Sequence, residues 1–164
     1  MSKPDLIVVM GPSGCGKTRV GAQLAEILGV PMLEGDDFHP AANRAKMGAG
    51  VALTDGDRVA WLDLIESEIT NYTATTVVLA CSALTPYVQA RLRAIASHSV
   101  RFFLLEVSRD VLTSRIEGRS SHFMPVSLLD SQLGALVTPH DARVFDGALS
   151  VDRIARQMAA QLTD

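Results

Sequence analysis

The sequence predicts an α/β fold of three layers, with a parallel five-stranded sheet flanked by helices. Short apolar runs alternate along the chain with segments whose apolar residues recur at helical spacing, which is typical of such a sheet. The chain has 164 residues, 48% of them hydrophobic, so it can bury a sizeable core. Because no linker, repeat or low-complexity tract divides the sequence, we expect residues 1–164 to form a single domain.

Five short, mostly apolar runs are the predicted strands. Their residues are those that suit strands buried on both faces of a sheet. The segments between them have helical spacing, so the strands are expected to run parallel. The predicted strands are Leu6–Met10, Pro31–Leu33, Thr76–Ala80, Phe102–Val107 and Val144–Leu149.

Four predicted helices carry apolar residues three or four positions apart, which would pack on the sheet. Gly29 is a stop signal after the first helix, Thr85 and Pro86 begin a later one, and Ser150 precedes the last. The apolar positions are Val20, Leu24, Ile27 and Leu28; Val59, Leu62, Ile65 and Ile69 in a helix that starts after Thr54 or Asp55; Val88, Leu92 and Ile95; and Val151, Ile154, Met158 and Leu162. Further helices are expected at Ser108–Gly118 and Val126–Leu136.

Charge and composition exclude several classes of protein. Lys plus Arg is 15 and Asp plus Glu is 18, so the formal net charge is -3 and no nucleic-acid surface is expected. The longest apolar runs are far shorter than the ~20 residues that cross a bilayer, so no membrane association is expected. The N-terminus does not resemble a secretory signal, and Cys15 and Cys81 are too few for a disulfide framework. We therefore expect a cytoplasmic protein.

The segment Gly11–Thr18, with the sequence GPSGCGKT, is the strongest chemical signal. It fits G-x-x-x-x-G-K-[ST] between the first predicted strand and the first predicted helix. Backbone N–H groups of such a loop bind phosphate oxygens, Lys17 would reach the β- and γ-phosphates, and the Thr18 hydroxyl would bind Mg²⁺. A glycine-rich turn with a solvated lysine is the alternative. The expected nucleotide contacts in the loop are Gly11, Ser13, Gly14, Cys15, Gly16, Lys17 and Thr18.

An acidic segment, EGDDFHP at Glu34–Pro40, follows the second predicted strand. The carboxyl ends of neighbouring strands border one crevice, so Asp36 should face the phosphate loop. There it would accept the proton of an attacking hydroxyl or orient that hydroxyl, or else serve only as a cap or turn residue. His39 has two possible roles as well, fixing the loop by hydrogen bonds or contacting substrate.

The D-x-x-G and N-K-x-D motifs of GTP-hydrolysing switches do not occur in the chain. Their absence from the sequence argues against a guanine-nucleotide switch.

The longer stretch Glu34–Leu62 resembles the gluconate kinase family, which shows G-D-x-x-H-P-x-x-N-x-x-K-M-x-x-G-x-x-L-x-D-x-D-R-x-x-W-L after its phosphate loop. The segments CSAL at Cys81–Leu84 and SRIEGRSSHFMP at Ser114–Pro125 also resemble family segments. The matching positions in the long stretch are Gly35, Asp36, His39, Pro40, Asn43, Lys46, Met47, Gly50, Leu53, Asp55, Asp57, Arg58, Trp61 and Leu62. The resemblance implies a shikimate-kinase-like P-loop kinase fold and ATP-dependent phosphorylation of D-gluconate to 6-phospho-D-gluconate.

The resemblance also implies a small mobile lid at about residues 119–126, and related kinases are often homodimers. Arg115 and Arg119 would lie near the nucleotide, and Arg119 would join Lys17 and Asp36 as a catalytic group. The candidate substrate-binding residues are Asp36, His39, Lys46, Arg58 and Ser82.

Simpler roles remain for several of these residues. Arg58 is expected to bind a carboxylate or hydroxyl group of the substrate, or to be an exposed arginine in the first turn of a helix. Lys46 is expected either to contact substrate or phosphate or to be a solvated helix lysine. Capping is the expected role of Asp55 and Asp57 at a helix start, and Trp61 is expected in the core.

The chain departs from the family pattern after CSAL. Thr85 stands where a lysine is common, and Val88 and Gln89 stand where a tyrosine-arginine pair is common. We expect the loss of two cations to weaken binding of a carboxylate. Two alternatives therefore stay open at this point: a kinase of another small sugar acid or polyol, and an inactive nucleotide-binding regulator.

Overall fold

The fold is a parallel five-stranded sheet, as the sequence predicts. A computed structural model describes residues 3–118 and 125–163, and residues 119–124 of the predicted lid lie outside this description. The order of the strands in the sheet is β2-β3-β1-β4-β5, and all neighbours are parallel. The strands are β1 (Asp5–Met10), β2 (Met32–Glu34), β3 (Val77–Ala80), β4 (Ser99–Glu106) and β5 (Arg143–Asp146).

Helices connect the strands and cover both faces of the sheet. Short 3₁₀ turns at Gly35–Phe38 and Val126–Leu128 complete the regular structure of the described residues. The helices are α1 (Lys17–Leu28), α2 (Ala41–Gly48), α3 (Asp55–Thr70), α4 (Pro86–Arg93), α5 (Arg109–Glu117), α6 (Leu129–Ala135) and α7 (Val151–Leu162). In the part of the chain that the structure describes, none of these helices is long and apolar enough to cross a membrane.

Two hydrophobic cores lie on opposite faces of the sheet. Successive side chains of a strand point to opposite faces, so Leu6 and Val8 of β1 alternate with Ile7 and Val9. The first pair packs in a core with α3 and α4, and the second pair packs in a core with α1, α5 and α7. The predicted three-layer architecture is thereby confirmed.

Several predicted boundaries need correction. Ile27 and Val59 are wrongly predicted to face the core, since they are 41% and 42% exposed, whereas Trp61, which was expected in the core, is 2% exposed. The helix expected at Val126–Leu136 consists of a 3₁₀ turn followed by the shorter α6, and the strand expected to reach Leu149 ends at Asp146. The bounds of α2 were not predicted, because its apolar face is narrow.

The capping signals in the sequence correspond to observed caps. Thr54 and Asp57 form a capping box at the start of α3, which confirms capping as a role of Asp57. Thr85 accepts a hydrogen bond from the Val88 backbone, and Ser150 caps α7. The caps at Thr54 and Thr85 fix where α3 and α4 begin, and both helices begin beside a cavity at the carboxyl ends of the strands.

Candidate active site

A cavity of about 760 Å³ lies at the carboxyl ends of the strands. Its walls come from the loops after β1, β2 and β3 and from the helices α3 and α6, as expected for a ligand site in an open parallel sheet. The sequence-predicted residues that line it are Ser13, Gly14, Gly16, Lys17, Thr18, Asp36, His39, Arg58 and Ser82. The fold therefore brings the phosphate loop and most of the candidate substrate residues to one cavity.

The phosphate loop is held in shape by close contacts at its base. Gly11 has φ +145°, and a Cβ there would lie 2.7 Å from the Cys15 sulfur, so the position requires glycine. The Cys15 side chain is buried in the core, so only its backbone is available to a ligand. The Lys17 ammonium group donates a hydrogen bond to the Pro12 carbonyl oxygen at 3.1 Å. Gly11 donates to the Ser82 carbonyl oxygen at 3.3 Å, which joins the loops after β1 and β3.

Glu34, the last residue of β2, is a site residue that the sequence analysis missed. One of its carboxylate oxygens accepts a hydrogen bond from the Thr18 hydroxyl, and the other accepts one from the Asp36 backbone at 3.2 Å. Burial raises the pKa of Glu34, while the hydrogen bonds from Thr18 and Asp36 oppose that change. The signal was present in the sequence, since an acid ends the second strand directly before Gly35-Asp36.

Asp36 is positioned by its neighbours in the turn after β2. A Cβ at Gly35 would lie 2.7 Å from the Ala80 carbonyl oxygen, so glycine allows the turn to approach β3 closely. The Asp36 carbonyl oxygen accepts a hydrogen bond from the Arg44 guanidinium group at 2.7 Å. Asp36 thus belongs to a turn, as one alternative predicted, and its side chain also lines the cavity.

His39 is packed against Trp61 at the cavity wall. The two rings are stacked, with centroids 4.5 Å apart and planes 11° apart. The Trp61 indole N–H donates to the Gly35 carbonyl oxygen at 2.8 Å. Burial lowers the pKa of His39 to about 4, so the ring is neutral at pH 7. Both predicted roles of His39 are compatible with this placement, because the residue fixes the turn and lines the cavity.

Arg58 and Lys46 have different surroundings. Arg58 lines the cavity, and its guanidinium group lies 3.0 Å from a carboxylate oxygen of Asp55. Lys46 instead pairs with Asp57 at 2.8 Å. The hydrogen bond from Lys46 lowers the pKa of Asp57 to about 2, helped by the Thr54 backbone N–H. Lys46 therefore braces the start of α3, a role that the sequence did not predict.

Arg115 lies behind the phosphate loop. Its guanidinium group donates to the carbonyl oxygens of Gly14 at 3.2 Å, Cys15 at 3.4 Å and Gly147 at 3.0 Å. Arg115 thus supports the backbone that is expected to bind phosphate, and its direct contact with nucleotide stays a prediction. Arg119, the other predicted arginine, lies outside the described residues.

A glutamine and a threonine complete the wall, and a second glutamine lies behind it. Gln132 of α6 accepts a hydrogen bond from the Ser13 backbone at 2.7 Å. Thr85, in the place of the family's lysine, lines the cavity. Gln89 is buried behind the wall and donates to the carbonyl oxygens of Ala83 at 3.0 Å and Val137 at 2.7 Å. Gln89 therefore ties the loop after β3 to the segment after α6.

Replacing Gln89 with leucine is expected to lower the free energy of unfolding by about 1–3 kcal/mol, because two carbonyl oxygens lose their donor. Denaturant unfolding of the wild type and the variant measures this change. Gln161, on the last turn of α7, is a matched control, and Gln161→Leu should have a much smaller effect. A Gln89→Leu variant as stable as the wild type would contradict the bracing role.

The fold and the cavity define a class of protein. A phosphate loop after the central strand of a parallel sheet, with a carboxylate in the same cavity, is the arrangement of P-loop kinases that act on small molecules. Comparison with known proteins places the chain within that class. Residues 6–139 match a family model described as an AAA domain.

Curated relatives and a solved structure narrow the class to one family. The chain is 43% identical to a gluconokinase of Gluconobacter oxydans, over 85% of this chain and 79% of that protein. It is 38% identical to a gluconokinase of Arabidopsis thaliana, over 85% of this chain and 82% of the relative. A crystal structure of a gluconokinase from Sinorhizobium meliloti superposes with a TM-score of 0.85 at 40% identity, covering 99% of this chain and 94% of the other. The chain belongs to the gluconokinase family.

Proposed function

We propose that this protein transfers the γ-phosphoryl group of ATP to D-gluconate and forms 6-phospho-D-gluconate. The observation that carries the proposal is that Asp36 and the phosphate loop line one cavity in a member of the gluconokinase family. The same cavity contains Arg58, a guanidinium group suited to the carboxylate of gluconate. The sequence left two alternatives open, a kinase of another small sugar acid or polyol and an inactive nucleotide-binding regulator. No observation favours either of them.

The proposed reaction is an in-line displacement. The 6-hydroxyl oxygen of gluconate attacks the γ-phosphorus, the bond from that phosphorus to the β–γ bridging oxygen breaks, and ADP leaves with the electron pair. Asp36 accepts the hydroxyl proton or orients the hydroxyl. Lys17 and the backbone N–H groups of the loop stabilise the charge on the phosphates. Arg119 keeps its predicted role near the transferred group.

The residues beside the loop suit Mg²⁺. Among the described residues, no cluster of three or more His, Cys, Asp or Glu side chains could enclose a metal ion. Mg²⁺ bound with ATP needs fewer protein ligands, since phosphate oxygens and water complete its octahedral shell. The Thr18 hydroxyl and the Glu34 carboxylate are adjacent oxygen ligands of the right kind. When bound there, Mg²⁺ would neutralise negative charge on the phosphates.

Arg58 is the proposed ligand of the gluconate carboxylate. It reaches the cavity from the first turn of α3 and is already oriented by Asp55. Ser82 and Thr85 supply hydroxyl groups on the wall formed by the loop after β3. A polyol chain has donors and acceptors along its length, so hydroxyl side chains suit it, and Thr85 can take part despite lacking the charge of a lysine.

ADP release coupled to NADH oxidation tests the proposed function directly. With ATP and Mg²⁺ present, ADP formation should depend on gluconate and should be faster than with other sugar acids or polyols at equal concentration. ATP binding without acceptor-dependent ADP release would contradict it. A faster reaction with another acceptor would contradict gluconate as the substrate.

Glu34→Gln should raise the Mg²⁺ concentration that gives half-maximal activity by about 10–100-fold, the usual effect of altering groups around a bound metal. The reason is that glutamine keeps the size and one acceptor oxygen but loses the charge. Titration of MgCl₂ at fixed ATP measures the change. Glu26→Gln, at an exposed position of α1, is the matched control. An unchanged Mg²⁺ dependence would remove Glu34 from the proposed metal site.

A homodimer and a cytoplasmic protein remain predictions from the sequence and the family.

A further inference from the structure

A chain of polar contacts runs from the start of α3 to Asp36 through two buried side chains. Asn43 is 4% exposed, and its amide nitrogen lies 2.9 Å from the Asp57 carbonyl oxygen and 3.3 Å from Nδ1 of His39. The His39 side chain is 6% exposed, and its Nε2 lies 3.9 Å from a carboxylate oxygen of Asp36. The turn that carries Asp36 is therefore connected to the start of α3 by two buried side chains.

The contacts of Asn43 decide which nitrogen of His39 carries the proton. A backbone carbonyl oxygen only accepts hydrogen bonds, so the Asn43 atom next to the Asp57 carbonyl must be the amide NH₂ group. The same NH₂ group faces Nδ1 of His39, and a donor there requires a lone pair on Nδ1. A neutral imidazole with a lone pair on Nδ1 carries its proton on Nε2. The Nε2–H group then faces Asp36.

Burial keeps the His39 ring neutral. Burial is the main cause of its lowered pKa, and the cations Arg44 and Arg58 act in the same direction. Asp36 acts in the opposite direction and does not outweigh them. At pH 7 the ring therefore holds one proton, and the contact with Asn43 determines its position.

Packing and hydrogen bonds also fix the orientation of the His39 ring. Trp61 stacks on the face of His39, and the indole N–H of Trp61 is bound to the Gly35 carbonyl oxygen. The backbone of Asp36 is also fixed, since its N–H donates to Glu34 and its carbonyl oxygen accepts from Arg44. Only the side-chain torsions of Asp36 remain, and its carboxylate is 49% exposed toward the cavity.

We propose that His39, held by Asn43 as the neutral Nε2–H tautomer, is a positioning residue that orients the Asp36 carboxylate toward the acceptor hydroxyl. The Nε2–H group attracts one carboxylate oxygen, so the other oxygen is directed into the cavity. Hydrogen bonds of this kind are often long before substrate binds and shorten in the substrate complex. The proposal rests on the proposed function, because it assigns Asp36 to the acceptor hydroxyl.

The proposal explains why a histidine, an asparagine and a tryptophan occur at these spacings in one segment. His39 supplies a donor, Asn43 sets the tautomer, and Trp61 holds the plane of the ring. The competing explanation is that His39 only fills space against Trp61. A phenylalanine would fill that space equally well, and this difference gives the test.

The first experiment compares two substitutions of His39. His39→Phe keeps an aromatic ring against Trp61 but has no donor, and it should lower kcat by about 10–100-fold with little change in the KM for ATP. His39→Gln keeps an N–H donor without the ring and should recover a large part of that loss. His98→Gln, which alters another buried histidine, should leave kcat unchanged. Equal kcat in His39→Phe and wild type, or equal loss in both His39 variants, would overturn the proposal.

The second experiment combines His39→Phe with Asp36→Asn. If His39 acts through Asp36, its replacement should cause no further loss of kcat once the carboxylate is gone. Losses that multiply would show that His39 acts independently of Asp36, and would overturn the proposal. Thermal unfolding of each variant identifies any loss of folded protein.

The third experiment measures the tautomer without any turnover. In the ¹⁵N NMR spectrum of the resting wild-type protein at pH 7, the His39 ring should show a proton on Nε2 and a lone pair on Nδ1. Asn43→Asp should move the proton to Nδ1, since a carboxylate accepts where the amide donates. A wild-type proton on Nδ1 would overturn the proposal. An absence of gluconate-dependent ADP release in the wild type would contradict the proposed function, but it would leave the measured tautomer of His39 unaffected.

Discussion

Asp36→Asn is expected to lower kcat by about 10²–10⁴-fold, the usual contribution of a general base. Asparagine has nearly the same size as aspartate, but it cannot take up the proton of the acceptor hydroxyl. The backbone contacts of Asp36 with Glu34 and Arg44 do not involve its side chain, so they should survive the change. Single-turnover kinetics with saturating ATP and gluconate would measure the loss.

The same variant should bind ATP nearly as well as the wild type, because the phosphate loop is unaltered. Asp37→Asn, at the exposed neighbouring position, is the matched control and should keep most of the activity. A kcat within about threefold of the wild type in Asp36→Asn would remove Asp36 from the catalytic step. Equal losses of kcat and ATP affinity would indicate that the turn itself had been disturbed.

Lys17→Met is expected to lower kcat/KM for ATP by about 10²–10³-fold, the usual effect of removing one donor to developing charge. Methionine keeps most of the aliphatic length of lysine but has no charge. In the resting protein the ammonium group is bound to the Pro12 carbonyl oxygen, so it lies within the loop. Steady-state kinetics and ATP-binding calorimetry would separate the effect on turnover from the effect on affinity.

Lys3→Met is a suitable control for the removal of a lysine. Lys3 contacts the Ala96 carbonyl oxygen at an exposed position and does not line the cavity. The control should retain its activity. If Lys17→Met also retained its activity, the phosphate loop would not act through this lysine. The proposed stabilisation of the phosphates by the charge of Lys17 would then be wrong.

Much of the fold could be predicted because local signals and packing agree. Gly29, Thr85 and Ser150 mark helix ends by their own backbone and side-chain chemistry, and each lies where it was expected. The strand β1 is recognisable because all of its central residues are apolar and both of its faces are buried. The phosphate loop was placed correctly because its pattern depends on this strand–loop–helix connection.

Other features depend on contacts that the sequence does not show. Val59 was expected on the buried side of α3, and only the packing of α3 in the folded protein leaves it exposed while Trp61 is buried against the turn after β2. Lys46 and Asp57 are separated by eleven positions, so their pairing follows from the angle between α2 and α3. Nothing in the sequence indicated that Gln89 joins two segments, because both of its partners are backbone carbonyl groups. One belongs to Ala83 in the loop after β3, and the other to Val137, far along the chain.

The sequence did not predict the proposed role of Glu34 for a different reason. Three acids occur close together in its segment, and residue type alone does not distinguish a catalytic base from a metal ligand. The turn after β2 separates them, because Glu34 ends the strand with its carboxylate on the Thr18 hydroxyl, whereas Asp36 lies in the following 3₁₀ turn and lines the cavity.

The three carbonyl oxygens bound by Arg115 have a consequence for folding. They belong to Gly14, Cys15 and Gly147, so a single side chain connects positions near both ends of the chain. Such contacts of high sequence separation form late, after the intervening chain has collapsed. During synthesis on the ribosome, the full set of three contacts would therefore be complete only after Gly147, which follows β5, has emerged.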